Sequence, residues 1–284
     1  MRRAALRLAR QSRNFWRLQA DYARLRWQLR FGPAQDAPGL PPLAIILQSY
    51  ARPKNMELII RTALKCRFVG QVILSNNNPE LDLSHLHNLG DSRLVLLHQD
   101  RKMPCGTRYD LASTLPFHYF MSIDDDVFLT PRQISSLFAA LIENPAVPHG
   151  LFGQIWRKVE VGSRQRWMLK GVPLRHEGPV DVLNCVVAFT SEHAESYREV
   201  LRRIGKSGSE DLGPADDIVV SASGSNRPLC HSVGRILTCA STDDPQIAAF
   251  LQPGVRSYRE NIFRQVHAIC SSPSPEPQNR VFEA

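Results

Sequence analysis

This chain predicts an α/β fold built on a doubly wound mixed sheet, on three observations. Short apolar runs alternate with helical spacings through the first 130 residues, as in sheets whose strands are joined by helices. One such run, Phe117 to Ile123, ends abruptly in Asp124, Asp125 and Asp126, and a sharply marked helix follows. A later run, Asp181 to Thr190 (DVLNCVVAFT), reads as another buried strand and is again followed by a helix.

Taken in order, residues 1 to 31 form a separate arm. Phe15, Leu18, Tyr22, Leu25 and Leu29 are spaced 3, 4, 3 and 4 apart, with Trp16 and Trp27 beside them, which predicts an amphipathic helix. The arm holds nine arginines against one acid, Asp21, so it carries the whole net charge of +8, while 26 basic and 26 acidic residues balance elsewhere. Such a helix either packs its stripe on the body or a partner, or lies in a membrane interface, where each basic residue near anionic lipid contributes about 1 kcal/mol. An organelle transit peptide is a weaker match, since Ser12 is the arm's one serine. Residues 32 to 42 (GPAQDAPGLPP) read as a linker.

The body opens with Leu43 to Gln48 (LAIILQ), too short for a helix and bounded by Pro42. After SYAR, Pro53 starts a helical run through Met56, Ile59, Ile60, Ala63 and Leu64 to Cys66. Gln71 to Ser75 is the next strand, closed by Asn76, Asn77 and Asn78, and Leu94 to His98 is a third. Strand, helix, strand in this order predicts parallel pairing with a crevice at the strand ends. From His98 to Leu111 the chain is polar and broken by Pro104 and Gly106, and reads as a loop beside that crevice. Thr130 then reads as an N-cap, Pro131 as the first helical residue and Arg132 to Glu143 as a helix.

Further on, Leu151 to Lys158 and Arg166 to Lys170 read as strands carrying Trp156 and Trp167, which either pack or stack on a sugar. After the strand ending at Thr190, Glu192 to Ile204 reads as a helix capped at Ser191. Pro214 begins a short helix whose first turn holds Asp216 and Asp217, where the helix dipole favours carboxylates.

The chemistry starts from the three adjacent acids, which a fold does not bury unpaired. Side chains two apart on an extended chain face the same way, so Asp124 and Asp126 converge on one cation while Asp125 points elsewhere. Hard oxygen ligands of this kind suit Mg²⁺ or Mn²⁺, which in turn hold phosphate oxygens. Arg108, in the preceding loop, either binds a diphosphate held by that ion or pairs with Asp124 or Asp125. With Asp216 and Asp217 the pattern is two facing half-sites, one for a metal and nucleotide diphosphate, one for a hydroxyl-bearing acceptor. His231 is either a further metal ligand or a buried structural histidine. No G-x-x-x-x-G-K-S/T loop, no G-x-G-x-x-G fingerprint and no EF-hand glycine and glutamate accompany the acids, which excludes those phosphate and calcium motifs.

In this order, SYAR at 49 to 52, SNN at 75 to 77, Arg108, IDDDVFLTP, LFGQIWR at 151 to 157, VLNCVVAF and ADDIVVS at 215 to 221 resemble a GT-A glycosyltransferase. The likeness is strongest to the C-terminal N-acetylhexosaminyltransferase domain of exostosin and exostosin-like proteins, over roughly residues 43 to 270. The resemblance implies a nucleotide-binding N-terminal half and an acceptor-binding C-terminal half. It implies that Tyr50, Arg52 and Asn76 surround the nucleotide and that Arg108 reaches uracil or diphosphate. By the same likeness Asp124 and Asp125 meet the ribose or donor sugar, Asp126 holds Mn²⁺, and Asp216 and Asp217 approach the transferred sugar or the acceptor hydroxyl. The implied reaction is a retaining transfer from a UDP-sugar to a glycan or lipid-linked acceptor. Arg256 to Tyr258 (RSY) also resembles the family's pattern, and the chain departs from that pattern at Ser75, Thr107, Ala248 and Ala249. Two alternatives share the fold: an inactive carbohydrate or membrane adaptor, and a sugar nucleotidyltransferase, although SYARPKN is not the glycine-rich loop of the latter.

Six scattered cysteines without a C-x-x-C pair predict isolated thiols in a reducing compartment. No apolar run approaches the roughly 18 to 20 residues that span a bilayer. The expected location is therefore cytoplasmic, with the arm able to hold the chain on the inner face of a membrane. No nucleic-acid partner is expected, and residues 271 to 284 read as a flexible tail.

Overall fold

A computed structural model describes residues 18–271 except 37, 163, 240, 243 and 245. Phe15 and Trp16 of the arm, and the expected tail beyond 271, lie outside the described residues. The strands are β1 (Leu43–Ser49), β2 (Val69–Asn76), β3 (Leu94–His98), β4 (Tyr119–Ile123), β5 (Val127–Phe128), β6 (His149–Val161), β7 (Arg164–Gly171), β8 (Gly178–Pro179), β9 (Val182–Thr190), β10 (Leu229–Cys230) and β11 (Leu237–Thr238). The helices are α1 (residues 18–31), α2 (Pro53–Leu64), α3 (Thr107–Ala112), α4 (Pro131–Glu143), α5 (Ser191–Arg203), α6 (Asp216–Ser221) and α7 (Val255–Ser271).

Among the described residues nine strands form one mixed sheet in the order β3-β2-β1-β4-β9-β6-β10-β8, with β7 added on β6. The first four strands pair in parallel, as the strand and helix alternation predicts. β9 then runs antiparallel to both β4 and β6. Every residue of β1 is buried, and its alternation is split between two cores. Leu43, Ile45 and Leu47 face α2 and α4, while Ala44 and Ile46 join the cluster beneath α3, α5, α6 and α7. Because β2 lies on one side of β1 and β4 on the other, the carboxyl ends of β1 and β4 flank a topological switch point, where open α/β sheets bind ligands.

The helix start at Pro131 is as expected. Thr130 Oγ1 accepts from Gln133 N, and the Gln133 side chain accepts from Thr130 N, closing a capping box. Three local expectations are corrected. The polar stretch after His98 contains α3, so Arg108 sits in the first turn of a short helix and not in a loop. Helix α5 is capped by Thr190, whose backbone N–H donates to His193 Nδ1, and Ser191 is already helical. Helix α6 begins at Asp216 and not at Pro214.

Of the two readings of the arm, the described half takes the body. Leu25 is buried, Tyr22 and Leu29 pack against the same core, and the Tyr22 ring meets Phe128 edge-on at 5.0 Å. Asp21, the arm's acid, pairs with Arg235. Trp27 and Phe31 stand exposed. Among the described residues no helix is long and apolar enough to cross a membrane. The linker is tied down at Gln35, whose N–H donates to Lys65 O and whose carbonyl accepts from Arg67 N. All six cysteines are free thiols.

His231 belongs to a structural pair. Its ring stacks on that of His149 at 4.9 Å and 5°, with His149 Nδ1 2.8 Å from His231 Nε2. His149 Nε2 donates to Asn144 O, so its Nδ1 is left to accept from His231. Burial pushes the His149 pKa down to about 4, against the pull of the Asn144 carbonyl. The unfolded chain takes up this proton below pH ~6.5 and the folded chain only near 4, a gap worth about 3 kcal/mol. Its stability contribution is therefore complete above 6.5 and lost as the pH falls towards 4. In urea unfolding at pH 7 and 4.5, His149→Phe is expected to lose about 2 to 3 kcal/mol less on acidification than the parent. Equal losses in the two proteins contradict this assignment.

Candidate active site

The chain turns immediately after β4. Val127 N donates to Asp124 O, and Asp125 and Asp126 occupy the turn. The alternation expected of an extended strand therefore does not orient the three acids; the turn and its partners do. Asp125 is buried against the end of β1. Its carboxylate accepts from Arg52 Nη1 at 2.7 Å and from the Tyr50 and Ala51 N–H groups at 3.4 and 3.5 Å. Asn55 holds the Asp125 carbonyl at 2.7 Å. Arg52 also donates to Ser241 Oγ and O at 3.2 and 3.0 Å, and stands 3.6 Å from Asp126.

Asp124 faces the other way. Its Oδ1 lies 2.6 Å from Arg108 Nη1, and the Arg108 Nε lies 3.7 Å from Asp216 Oδ2. Thus α3 places one buried guanidinium between the acid turn and α6, and the two predicted half-sites meet there. Burial opposes the charge of Arg108, but Asp124 and Asp216 outweigh it and hold its pKa above the ordinary value. The Asp216 carboxyl is raised by burial, which Arg108 opposes and Asp217 and Asp124 reinforce. At 3.7 Å its ion-pair contact is outside hydrogen-bond range, so the carboxyl keeps accepting capacity.

Asp217 is held differently. Arg259 of α7 grips it through Nη1 at 2.6 Å and Nη2 at 2.8 Å, Asn184 Nδ2 donates at 2.7 Å, and Ile218 N donates at 2.9 Å. Four donors fill a carboxylate's acceptor sites. Asn184 reaches Asp217 because β9 carries an extra residue here. Between the pairs Gly150↔Val187 and Phe152↔Asn184, β6 advances two residues and β9 three. Cys185 takes up the bulge at φ 61, and its carbonyl accepts from Asp124 N at 2.9 Å.

Asp126, like Asp216, is held against its own charge. Its pKa is pushed up to about 6, by burial first and by the charge of Asp124 next, with Arg52 opposing. Asp124 is the more exposed of the two, its side chain 31% accessible against 12% for Asp126. Two mutually repelling hard carboxylates, one opening to solvent, fit a divalent ion that completes its shell with water and phosphate. Among the described residues no three His, Cys, Asp or Glu side chains converge on one such point, because Asp125 is committed to Arg52.

No family model and no curated protein matches the chain. Among solved structures, it is similar to the crystal structure of GalNAc-T7 with UDP, GalNAc and Mn²⁺, with a TM-score of 0.49 and 9% identity over 70% of this chain. The match covers 44% of that protein, so the chain spans less than half its length. The crystal structure of S. aureus TarS 1–349 gives a TM-score of 0.48 at 14% identity, covering 81% of this chain and 72% of that one. CMP:2-keto-3-deoxy-manno-octonic acid synthetase complexed with CTP gives 0.37 at 13%, covering 57% and 78%.

Of the residues singled out from sequence, Arg52, Arg108, Asp124, Asp125, Asp126, Asp216 and Asp217 form one connected set of ion pairs and close charges. Tyr50 flanks it, with its backbone on Asp125 and its ring half exposed. Asn76 is buried and spends its amide locally, donating to Leu81 O at 2.7 Å and accepting from Asn78 N at 3.3 Å. Arg259, Asn184 and Ser241 belong to the set and were not anticipated. Arg259 had a signal: it directly follows Arg256 to Tyr258, the stretch already matched to the family pattern.

Proposed function

We propose that this chain is a metal-dependent GT-A glycosyltransferase that moves a sugar from a nucleotide sugar, UDP-linked, to a hydroxyl of a glycan or related acceptor. One observation carries the reading: Arg108 ion-pairs with Asp124 on one side and Asp216 on the other, so the acid turn and the second acidic pair meet at one buried guanidinium. A donor half-site and an acceptor half-site in contact are what group transfer requires.

In this reading the exposed Tyr50 ring stacks on the nucleotide base, while Arg52 and Arg108 stand ready for the diphosphate. Asp124 and Asp126 hold Mn²⁺ or Mg²⁺, which offsets charge on the departing diphosphate. Asp216, with its raised pKa and spare accepting capacity, suits the acceptor hydroxyl proton. Asp217, fixed by Arg259 and Asn184, places its carboxylate near the transferred sugar. Retention of configuration follows the exostosin-like resemblance.

The test is a panel of UDP-, GDP- and CMP-linked sugars incubated with the chain, with Mn²⁺ or with chelator, following nucleotide release. Release from a UDP-sugar in Mn²⁺ alone, with the retained anomer as first product, is expected. No turnover of any donor in either condition removes the enzymatic reading and leaves the adaptor.

A further inference from the structure

β6 runs on past the acids. Gln154, whose Oε1 is 3.3 Å from Arg259 Nη2, is followed on the same strand face by Trp156, about 7 Å further along. Beside Trp156, Trp167 of β7, the register partner of Lys158, stacks at 6.1 Å and 17°, and Arg264 of α7 lies over the Trp156 ring at 5.4 Å. These three side chains, with Arg166 and Glu260, line an open pocket of about 560 Å³, the size of a small-molecule site.

Two features separate this pocket from ordinary packing. Trp167 is 47% exposed, although a ring of that size is normally covered. Glu260 is 7% exposed, yet its Oε1 has no hydrogen-bond partner among the described residues. The nearest cation in its ion pair, Arg166 Nη2, is 3.9 Å away, beyond hydrogen-bond range. A buried carboxylate oxygen without a donor is costly unless something supplies one.

The complement of such a site is a molecule with a flat C–H face for the indole and hydroxyl donors on its edge for the carboxylate, with oxygens for the flanking guanidinium groups. A pyranose ring has all three. We infer that this pocket is an acceptor subsite binding a pyranose unit of the glycan one or more sugars away from the reacting hydroxyl. The inference rests on the transferase reading, and the continuity of β6 and α7 supports it: Arg259 meets Gln154 and grips Asp217, while Trp156 and Glu260 on the same two elements line the pocket.

The full chain is titrated with chitotetraose, maltotetraose and tetragalacturonate by calorimetry, and separately with UDP in Mn²⁺. Trp167→Ala and Glu260→Gln are compared with the parent. At least one oligosaccharide is expected to bind the parent, to bind each variant at least about tenfold more weakly, and to leave UDP affinity and the thermal midpoint unchanged. A parent that binds UDP but none of the three sugars overturns the subsite while the donor site stands. Equal sugar affinity in parent and Trp167→Ala places recognition elsewhere and also overturns it. Absence of UDP binding in every protein removes the transferase reading, and the acceptor role falls with it.

Discussion

Replacing Arg108 with methionine is expected to cost about 3 to 5 kcal/mol of stability at pH 8, because it strips the shared cation from two buried or half-buried carboxylates. Asp124 loses a 2.6 Å contact and Asp216 its partner at 3.7 Å, and the charge of Asp124 already adds to the cost of ionising Asp216. The penalty is expected to shrink at pH 5. Asp216, whose carboxyl burial already raises, then takes up a proton and no longer needs a counter-charge. Sign and window agree: a raised folded pKa contributes stability at low pH and withdraws it as the pH rises through that value. Arg108→Lys keeps the charge but not the planar fork, which also holds Cys105 O at 3.0 Å, and is expected to recover only part of the loss. Urea unfolding at the two pH values measures this. A methionine variant within about 0.5 kcal/mol of the parent at both sinks the bridging role.

Asp217→Asn is expected to lower sugar transfer by about 10²- to 10⁴-fold while leaving UDP affinity within about threefold. The substitution is nearly isosteric, but it removes the charge that Arg259 and Asn184 hold in place. In the proposed function Asp217 belongs to the second half-site, so the effect falls on turnover and not on donor capture. Some stability is lost as well, since Arg259 keeps a buried charge. The comparison of kcat with the UDP dissociation constant separates the two effects. If UDP affinity falls in step with turnover, Asp217 is part of the donor site and the division into half-sites is wrong.

The charges were legible in the sequence; their partners were less so. Three acids at the end of an apolar run mark a strand terminus in any α/β chain, and Thr130 with Pro131 marks the helix start through purely local chemistry. Asp216 and Asp217 were legible for the same reason, as carboxylates in a first helical turn. What was not legible depends on contacts distant in sequence. Arg259 meets Asp217 only because α7 packs back over α6, 42 residues later. Asn184 is aimed by a bulge that no hydrophobic pattern announces, since VLNCVVAF reads as an unbroken strand. Helix α3 was hidden by Pro104 and Gly106, which precede it and do not interrupt it. The rule for extended chain was applied across a turn, so it set Asp125 apart from Asp124 and Asp126 without the reason, which is the distant partners Arg52 and Arg108.

The proposed transfer depends on a divalent ion held by Asp124 and Asp126 that joins the chain to a nucleotide's phosphates. Calorimetric titration of UDP into the parent and into Asp126→Ala, with Mn²⁺ and with chelator, tests it most directly. The parent is expected to bind UDP at least about tenfold more tightly with Mn²⁺, a gain of about 1.4 kcal/mol, and the variant to show no gain. The same Mn²⁺-dependent affinity in Asp126→Ala as in the parent would contradict it.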